Sequence, residues 1–215
     1  MKRMQVGFGL LEVMLALAIG LMVLAAASQL FATAHQAWRL QGAALRLQDD
    51  ARLALLRMAQ DIRMAGMFGC LRLNPDDFED PIARQAFAQP LVIGLSSLEL
   101  VVAESSEHAG EPDWALLTDC HTEALVKKDF PSKPGTLMAL RISRHRYELR
   151  GSTLQFIWKG RSQSLIEHVR KLQVTRVATP KGGRVDLKLT LFEPTLQLEQ
   201  RHELSVALRN LESDS

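Results

Sequence analysis

The chain has 215 residues, of which 47% are hydrophobic and 23% charged, a globular composition that excludes a disordered, collagen-like or multi-span membrane chain. Its formal charge is +2, from 26 Lys and Arg against 24 Asp and Glu, so composition gives little support to nucleic-acid binding. The two cysteines, Cys70 and Cys120, are too few for a disulfide scaffold or, without a tight Cys/His cluster, for a structural zinc site. They form either one bridge, if the compartment is oxidising, or two buried free thiols.

The N-terminal part of the chain carries a long apolar segment. No formal charge occurs between Glu12 and Arg39, and residues 13–27 contain no polar side chain. With its apolar flanks the segment reaches the roughly 20 residues that a helix needs to cross a bilayer. Because Lys2 and Arg3 precede it, the positive-inside tendency predicts a cytoplasmic N-terminus and an extracytoplasmic location for everything after about residue 35.

Three interpretations of this N-terminus compete. A cleaved secretory signal would end at a small-x-small site such as residues 25–27, but its apolar core would not begin with a carboxylate. A plain membrane anchor fits the length, although Glu12 is costly in hydrocarbon unless a partner neutralises it. The third interpretation comes from the run Gly7-Phe8-Gly9-Leu10-Leu11-Glu12, which follows a short basic leader and precedes an uncharged helix. This run resembles the cleavage and methylation signature of type IV prepilins and pseudopilins.

The resemblance implies a specific processing event and an assembly role. Residues 1–7 would be a leader peptide that prepilin peptidase removes by cutting between Gly7 and Phe8, and the same enzyme would methylate the new amino terminus at Phe8. Glu12 would pair with the N-terminal ammonium of a neighbouring subunit and so fix the axial offset between adjacent helices. The alternative for Glu12 is a carboxylate that only snorkels to the membrane interface.

The helix is predicted to continue beyond the membrane. No proline occurs before Pro75, and apolar residues recur at steps of three and four from Leu40 to Ala65. Gly66 and Gly69 predict its end. The predicted segments are a helix over residues 8–66, its membrane-spanning part 8–34, its packed part 35–66, and a β-rich extracytoplasmic globular domain over residues 67–215.

After the helix the pattern changes to short β-type runs joined by polar segments, including an acidic loop at 75–81. Gly151-Ser152 and Pro180–Gly183 predict two hairpin turns. The sequence therefore predicts an α+β, pilin-like fold in which one long N-terminal helix packs on a C-terminal antiparallel β-sheet domain. The expected strands are 98–103, 115–118, 137–143, 146–150, 153–158, 172–177, 185–192 and 203–208.

Further segments narrow the resemblance within the family. Arg39-Leu-Gln, the segment Leu47–Leu55, the segment Asp61–Cys70 and the ending Val206–Asn210 are similar to PilW-type minor pilins. This similarity implies a low-abundance structural subunit that joins other minor pilins and the major pilin, primes type IV pilus assembly and caps or joins the fibre tip. J-type minor pseudopilins of type II secretion share the architecture and are the nearest alternative. A membrane-tethered periplasmic adhesin or enzyme is a more distant one.

The resemblance also implies a location and partners. The chain would cross the inner membrane once, with its N-terminus cytoplasmic and its globular domain periplasmic, before it is assembled into the pilus (fimbrium) at the cell surface. It would meet prepilin peptidase and the pilus assembly platform. In such an oxidising compartment we expect a disulfide between Cys70 and Cys120.

The remaining constellations do not favour catalysis. Asp119-Cys120-His121 places a thiol beside an imidazole, but sequence neighbours do not form a nucleophile–base pair and no Gly-rich nucleophile turn accompanies them. The carboxylates of residues 76–80 lack EF-hand spacing and predict a solvated loop rather than a calcium site. We therefore predict no enzyme activity, no catalytic residue, no metal site, no cofactor and no nucleic-acid partner.

Overall fold

The computed structural model describes residues 9–104, 110–131, 135–179 and 182–210. The chain divides into two compact units, Met1–Leu45 and Arg46–Ser215. Helix α1 (Leu10–Met64) belongs to both units. In the first unit α1 exposes large apolar side chains on all sides, whereas in the second unit its residues begin to be buried at Leu47.

The α1 helix ends close to the predicted glycines. Gly66 adopts a positive φ of 72°, a conformation that glycine reaches without the strain of a Cβ. The side-chain amide of Asn210 donates to the carbonyl of Arg63 at 2.9 Å, which satisfies one of the acceptors that a helix end leaves open. The last described residue of the chain therefore contributes to the end of α1.

A short 3-10 helix (Pro75–Asp77), a second α-helix and ten strands follow α1 in the described residues. Helix α2 comprises Pro81–Ala88. The strands are β1 (Leu91–Ile93), β2 (Ser97–Glu104), β3 (Trp114–Thr118), β4 (Ala124–Lys127), β5 (Met138–Arg150), β6 (Thr153–Trp158), β7 (Arg161–Ile166), β8 (Val169–Thr179), β9 (Gly182–Glu193) and β10 (Leu198–Ala207). All the pairings between these strands are antiparallel.

The strands form two sheets. The larger sheet has seven strands: five in the order β1-β2-β5-β3-β4, then β6, which pairs with the C-terminal part of β5, and β7, which pairs with β6. This is possible because β5 is 13 residues long: one of its edges pairs first with β3 and then, from His145 onward, with β6, while β2 lies along the other edge. The smaller sheet is a meander in the order β10-β9-β8.

Two clusters of buried side chains hold the second unit together. The main core joins the buried stripe of α1, from Leu47 to Ile62, and Ala65 just after it to one face of the larger sheet and to the inner face of the smaller sheet. The second core packs Ala83, Ala86 and Phe87 of α2 on the other face of the larger sheet. Because successive residues of a strand point to opposite faces, β2 supplies Leu100 to the first cluster and Val101 to the second.

The structure confirms the predicted α+β class, with one long N-terminal helix packed on antiparallel strands, but it corrects several details. The strands expected at 137–143 and 146–150 are one continuous strand, β5. Helix α2 and strands β1, β4 and β7 were not predicted. The end of the acidic loop starts α2, because Pro81 occupies its first turn and Asp80 caps it through a bond from the N–H of Ile82 at 2.9 Å.

The described residues include the whole turn of one predicted hairpin and only part of the turn of the other. Gly151, at φ 60°, turns the chain between β5 and β6, as predicted. Strands β8 and β9 also pair as neighbours, but the turn residues 180 and 181 lie outside the described residues.

Candidate processing segment and helix–sheet junction

The predicted processing site falls at the boundary of what the structure describes. Gly7 and Phe8, together with leader residues 1–6, lie outside the described residues, which begin at Gly9. Glu12 is in the first turn of α1, where its N–H donates to the carbonyl of Gly9 at 3.0 Å. Its side chain is exposed and has no ion pair among the residues that the structure describes. Among the described residues, its carboxylate is therefore open to a partner's cation.

Within the described ranges, α1 is the one helix that is long and apolar enough, by length and composition, to cross a membrane. A stretch of 18 residues in this helix has a mean hydropathy of 2.5, and none of the stretch is buried within the protein. Large side chains such as Leu10, Met22 and Phe31 are each more than two-thirds exposed. Such a continuous apolar surface needs either lipid or other apolar helices around it.

A cluster of buried polar side chains lies where α1 meets the larger sheet. Asp61 of α1 is 7% exposed, and its Oδ2 accepts from Nδ1 of His145 at 2.7 Å and from the hydroxyl of Tyr147 at 2.5 Å. On the other side of the imidazole, Nε2 lies 3.7 Å from Oε1 of Glu104, whose side chain is completely buried. His145 therefore sits between a carboxylate of the helix and a carboxylate of β2. We name these four residues the junction cluster.

Cationic and aromatic groups surround the junction cluster. The indole of Trp158 donates to Oε1 of Glu104 at 2.6 Å, and Lys159 lies 3.5 Å from the same carboxylate. Arg141 approaches Glu104 at 3.8 Å and Arg57 approaches Asp61 at 3.9 Å. Each buried carboxylate thus has both hydrogen-bond donors and cations near it, as a buried ion requires.

The surroundings shift the pKa values of the junction cluster. Burial alone would lower the pKa of His145, but Asp61 and Glu104 outweigh that effect and raise the pKa above its ordinary 6.5. Burial alone would raise the pKa of Glu104, but bonds from His145 and Trp158, helped by Lys159, lower it from 4.5 to about 2. Burial and the neighbouring Asp61 together raise the pKa of Tyr147. The raised pKa of His145 therefore extends toward higher pH the range in which an imidazolium lies between the two carboxylates.

The sequence interpretation did not identify this cluster. Two signals could have found it. Asp61 falls on the buried face of α1 beside Met58 and Ile62, and His145 and Tyr147 alternate on the same face of β5.

The two predicted disulfide partners are joined in the structure. Cys70 and Cys120 form a disulfide with their Cα atoms 5.3 Å apart, which ties the segment after α1 to the end of β3. Beside it, Oδ1 of Asp119 accepts from the N–H groups of residues 121, 122 and 123 at 2.8 to 2.9 Å. These backbone bonds lower the pKa of Asp119 below its usual range. The carboxylate of Asp119 thus stabilises a turn of the backbone, and the sulfur of Cys120 is bonded to that of Cys70.

The acidic segment at 76–80 uses its carboxylates separately. Asp77 accepts from the N–H of Asn74 at 2.6 Å, Asp80 caps α2 and accepts from the indole of Trp114 at 3.3 Å, and Glu79 pairs with Lys127 at 2.9 Å. Within the described residues no group of three or more His, Cys, Asp or Glu side chains is arranged to hold a metal ion.

Comparison with known proteins gives one match. Residues 2–28 match the family model of the prokaryotic N-terminal methylation motif. Neither the curated proteins nor the solved structures contain a match to the chain. The matched segment includes Gly7, Phe8 and Glu12 and runs into the exposed apolar part of α1. The motif supports a pilin or pseudopilin role with processing by prepilin peptidase, and together with the apolar helix it fits an inner-membrane-anchored pilin.

Proposed function

We propose that the chain is a structural minor pilin of the PilW type, which helps to prime type IV pilus assembly and caps or joins the fibre tip with other minor pilins. In this proposal it is cut between Gly7 and Phe8 and methylated on Phe8. It has no catalytic activity of its own. Its globular unit faces the periplasm until the subunit enters the fibre.

The observation that carries the proposal is the methylation motif at residues 2–28, continuous with a helix whose apolar surface is exposed on all sides. An apolar helix of this kind is stable in lipid and equally stable among other apolar helices. A subunit that moves from a membrane into a fibre needs both properties. The disulfide between Cys70 and Cys120 is in keeping with a periplasmic location for the second unit.

Glu12 gives the proposal its most specific test. A carboxylate in hydrocarbon opposes insertion, so Glu12→Leu should be inserted in the membrane at least as well as the unmodified chain. If Glu12 pairs with the N-terminal ammonium of a neighbouring subunit, the same variant should be processed, folded and membrane-bound but poorly incorporated. Ser28→Leu, farther along the same exposed helix, is the matched control, because it increases apolarity without removing a charge.

The assay counts sheared surface pili and measures crosslinking to neighbouring prepilins in cells that carry each variant at equal monomer abundance. We expect fewer pili and weaker crosslinks with Glu12→Leu and unchanged values with Ser28→Leu. Unchanged pili and crosslinks with Glu12→Leu would contradict the pairing role. If type II secretion of a substrate fails while pilus number is unaffected, the subunit is a J-type pseudopilin instead.

A further inference from the structure

A cavity of about 490 Å³ opens between the segment that follows α1 and helix α2. Its apolar lining includes Phe68, Leu71, Leu73, Phe78 and Phe87. The phenyl rings are packed together: the centroids of Phe68 and Phe87 are 4.2 Å apart, and those of Phe78 and Phe87 are 5.3 Å apart. The cavity therefore has an aromatic floor of the kind that accepts an apolar side chain.

The wall formed by the segment after α1 is held in place at two neighbouring residues. Gly69 has φ 84°, and a Cβ there would lie 3.2 Å from Cδ1 of Leu140, so the backbone passes close against the larger sheet. The next residue, Cys70, is covalently tied to Cys120. The cavity is therefore built on a fixed wall rather than on a free loop.

The charged residues that line the cavity are all basic. Arg72 and Arg84 are the charged residues among those that line the cavity, and no lining residue is acidic in the part of the chain that the structure describes. Arg84 is exposed and has no ion pair within the described ranges. Three acidic residues that precede α2 in the chain, Asp77, Glu79 and Asp80, already accept bonds or pair elsewhere. The Arg84 guanidinium at the opening is thus available to a carboxylate.

A second cavity differs from the first in the charge of its lining. It has a volume of about 400 Å³, and it is lined by both acidic and basic residues. Arg144 and Arg146 at its edge are already paired with Glu99, at 3.1 and 2.6 Å. A carboxylate that entered it would have to compete with existing ion pairs.

We propose that the first cavity docks a segment of a partner protein in which an aromatic or branched aliphatic side chain stands next to a carboxylate. The apolar side chain enters the cavity and contacts the phenyl floor, while the carboxylate pairs with the guanidinium of Arg84. This interaction is separate from helix-to-helix assembly and does not depend on the methylation motif. It would give the globular unit a means of selecting its neighbour.

The test uses the full chain in detergent micelles and two short peptides as probes. One is acetyl-Gly-Phe-Asp-Gly-amide, and the other has Asn in place of Asp. Binding is followed by the backbone amide signals of the cavity lining in nuclear magnetic resonance spectra. We expect the acidic peptide to bind about fivefold more tightly than the amide peptide, which is the size of one partly exposed charged contact.

Three variants assign the contacts. Arg84→Gln should remove the difference between the two peptides, while Arg52→Gln, on the exposed face of α1, should leave it unchanged. Ala88→Trp, at an exposed position of the cavity lining, should abolish binding of both peptides by filling the space. The dispersion of the spectra outside the cavity shows whether each variant is folded.

Several results would overturn the proposal. No shift of the cavity signals with either peptide would do so, as would equal binding of both peptides that Arg84→Gln does not change. Binding that appears only when the chain is shortened to end at Asn210 would identify residues 211–215, which include Glu212 and Asp214, as the occupant in place of a partner.

Discussion

Replacement of Asp61 by asparagine tests the junction cluster most directly. One oxygen of Asp61 accepts from both His145 at 2.7 Å and Tyr147 at 2.5 Å, and an asparagine oxygen in the same place keeps both bonds but not the charge. A charge-assisted bond exceeds a neutral one by about 1 kcal/mol, so the free energy of unfolding should fall by about 2 kcal/mol. For a unit of this size that corresponds to a decrease in Tm of about 4 to 8 °C.

The loss should depend on pH. The pKa of His145 in the folded chain is raised above 6.5, so its protonation stabilises the fold fully below about pH 6.5, and this contribution disappears as the pH rises through the raised value. Asp61→Asn removes one of the two carboxylates that raise it. The difference in Tm between the unmodified chain and the variant should therefore be largest at about pH 6 and should shrink in alkaline solution.

Thermal unfolding of the full chain in detergent, followed by near-ultraviolet circular dichroism, measures this difference. Asp50→Asn is the matched control, because Asp50 is an exposed residue of the same helix and its loss should change Tm by less than about 1 °C. A titration of the His145 imidazole by nuclear magnetic resonance gives the pKa directly. An equal loss of Tm at about pH 6 and in alkaline solution, or a folded-state pKa of His145 at or below 6.5, would refute the account of the junction cluster.

Two further changes test the buried carboxylate and the disulfide. The pKa of Glu104 is lowered from 4.5 to about 2, so the ionised carboxylate contributes fully to the free energy of unfolding above about pH 4.5, and this contribution is lost as the pH falls through about 2. Glu104→Gln should therefore flatten the acid unfolding curve, measured by circular dichroism, in that range. An unchanged curve would contradict the role of Glu104. The sequence separation of Cys70 and Cys120 is 50, which corresponds to about 4 kcal/mol on the chain-entropy model, so Cys120→Ser should lower Tm by about 8 to 16 °C. Peptide mapping under non-reducing conditions that finds both thiols free in periplasmically produced protein would rule out the bridge.

The features that could be predicted from the sequence are those set by local chemistry. The step of three and four residues along α1 predicted its buried stripe from Leu47 onward, although Leu40 at the start of the predicted stripe is exposed. Gly66 predicted the end of the helix, because both features depend on residues close together in the chain. Gly151-Ser152 predicted a hairpin for the same reason. The α+β class followed from the change of pattern after residue 66.

The features that could not be predicted depend on distant parts of the chain. The polar residues of β7 have no strand pattern of their own, and they form a strand because β6 provides an edge to pair with. The junction cluster joins Asp61 to His145 across 84 positions of sequence. The aromatic cavity likewise requires α2, which is only eight residues long and begins in a segment that composition marks as a loop.

The central claim is that the N-terminus is a prepilin leader followed by an assembly helix, and the intact mass of the mature chain tests it most directly. The chain should be purified from membranes of cells that contain prepilin peptidase, beside a Gly7→Val variant that blocks the cut by placing a side chain at the scissile bond. The account predicts a mature chain that begins at Phe8 and carries one added methyl group, with the variant left at full length. A mature chain that begins after Ala27 would contradict it and would identify a secretory signal instead.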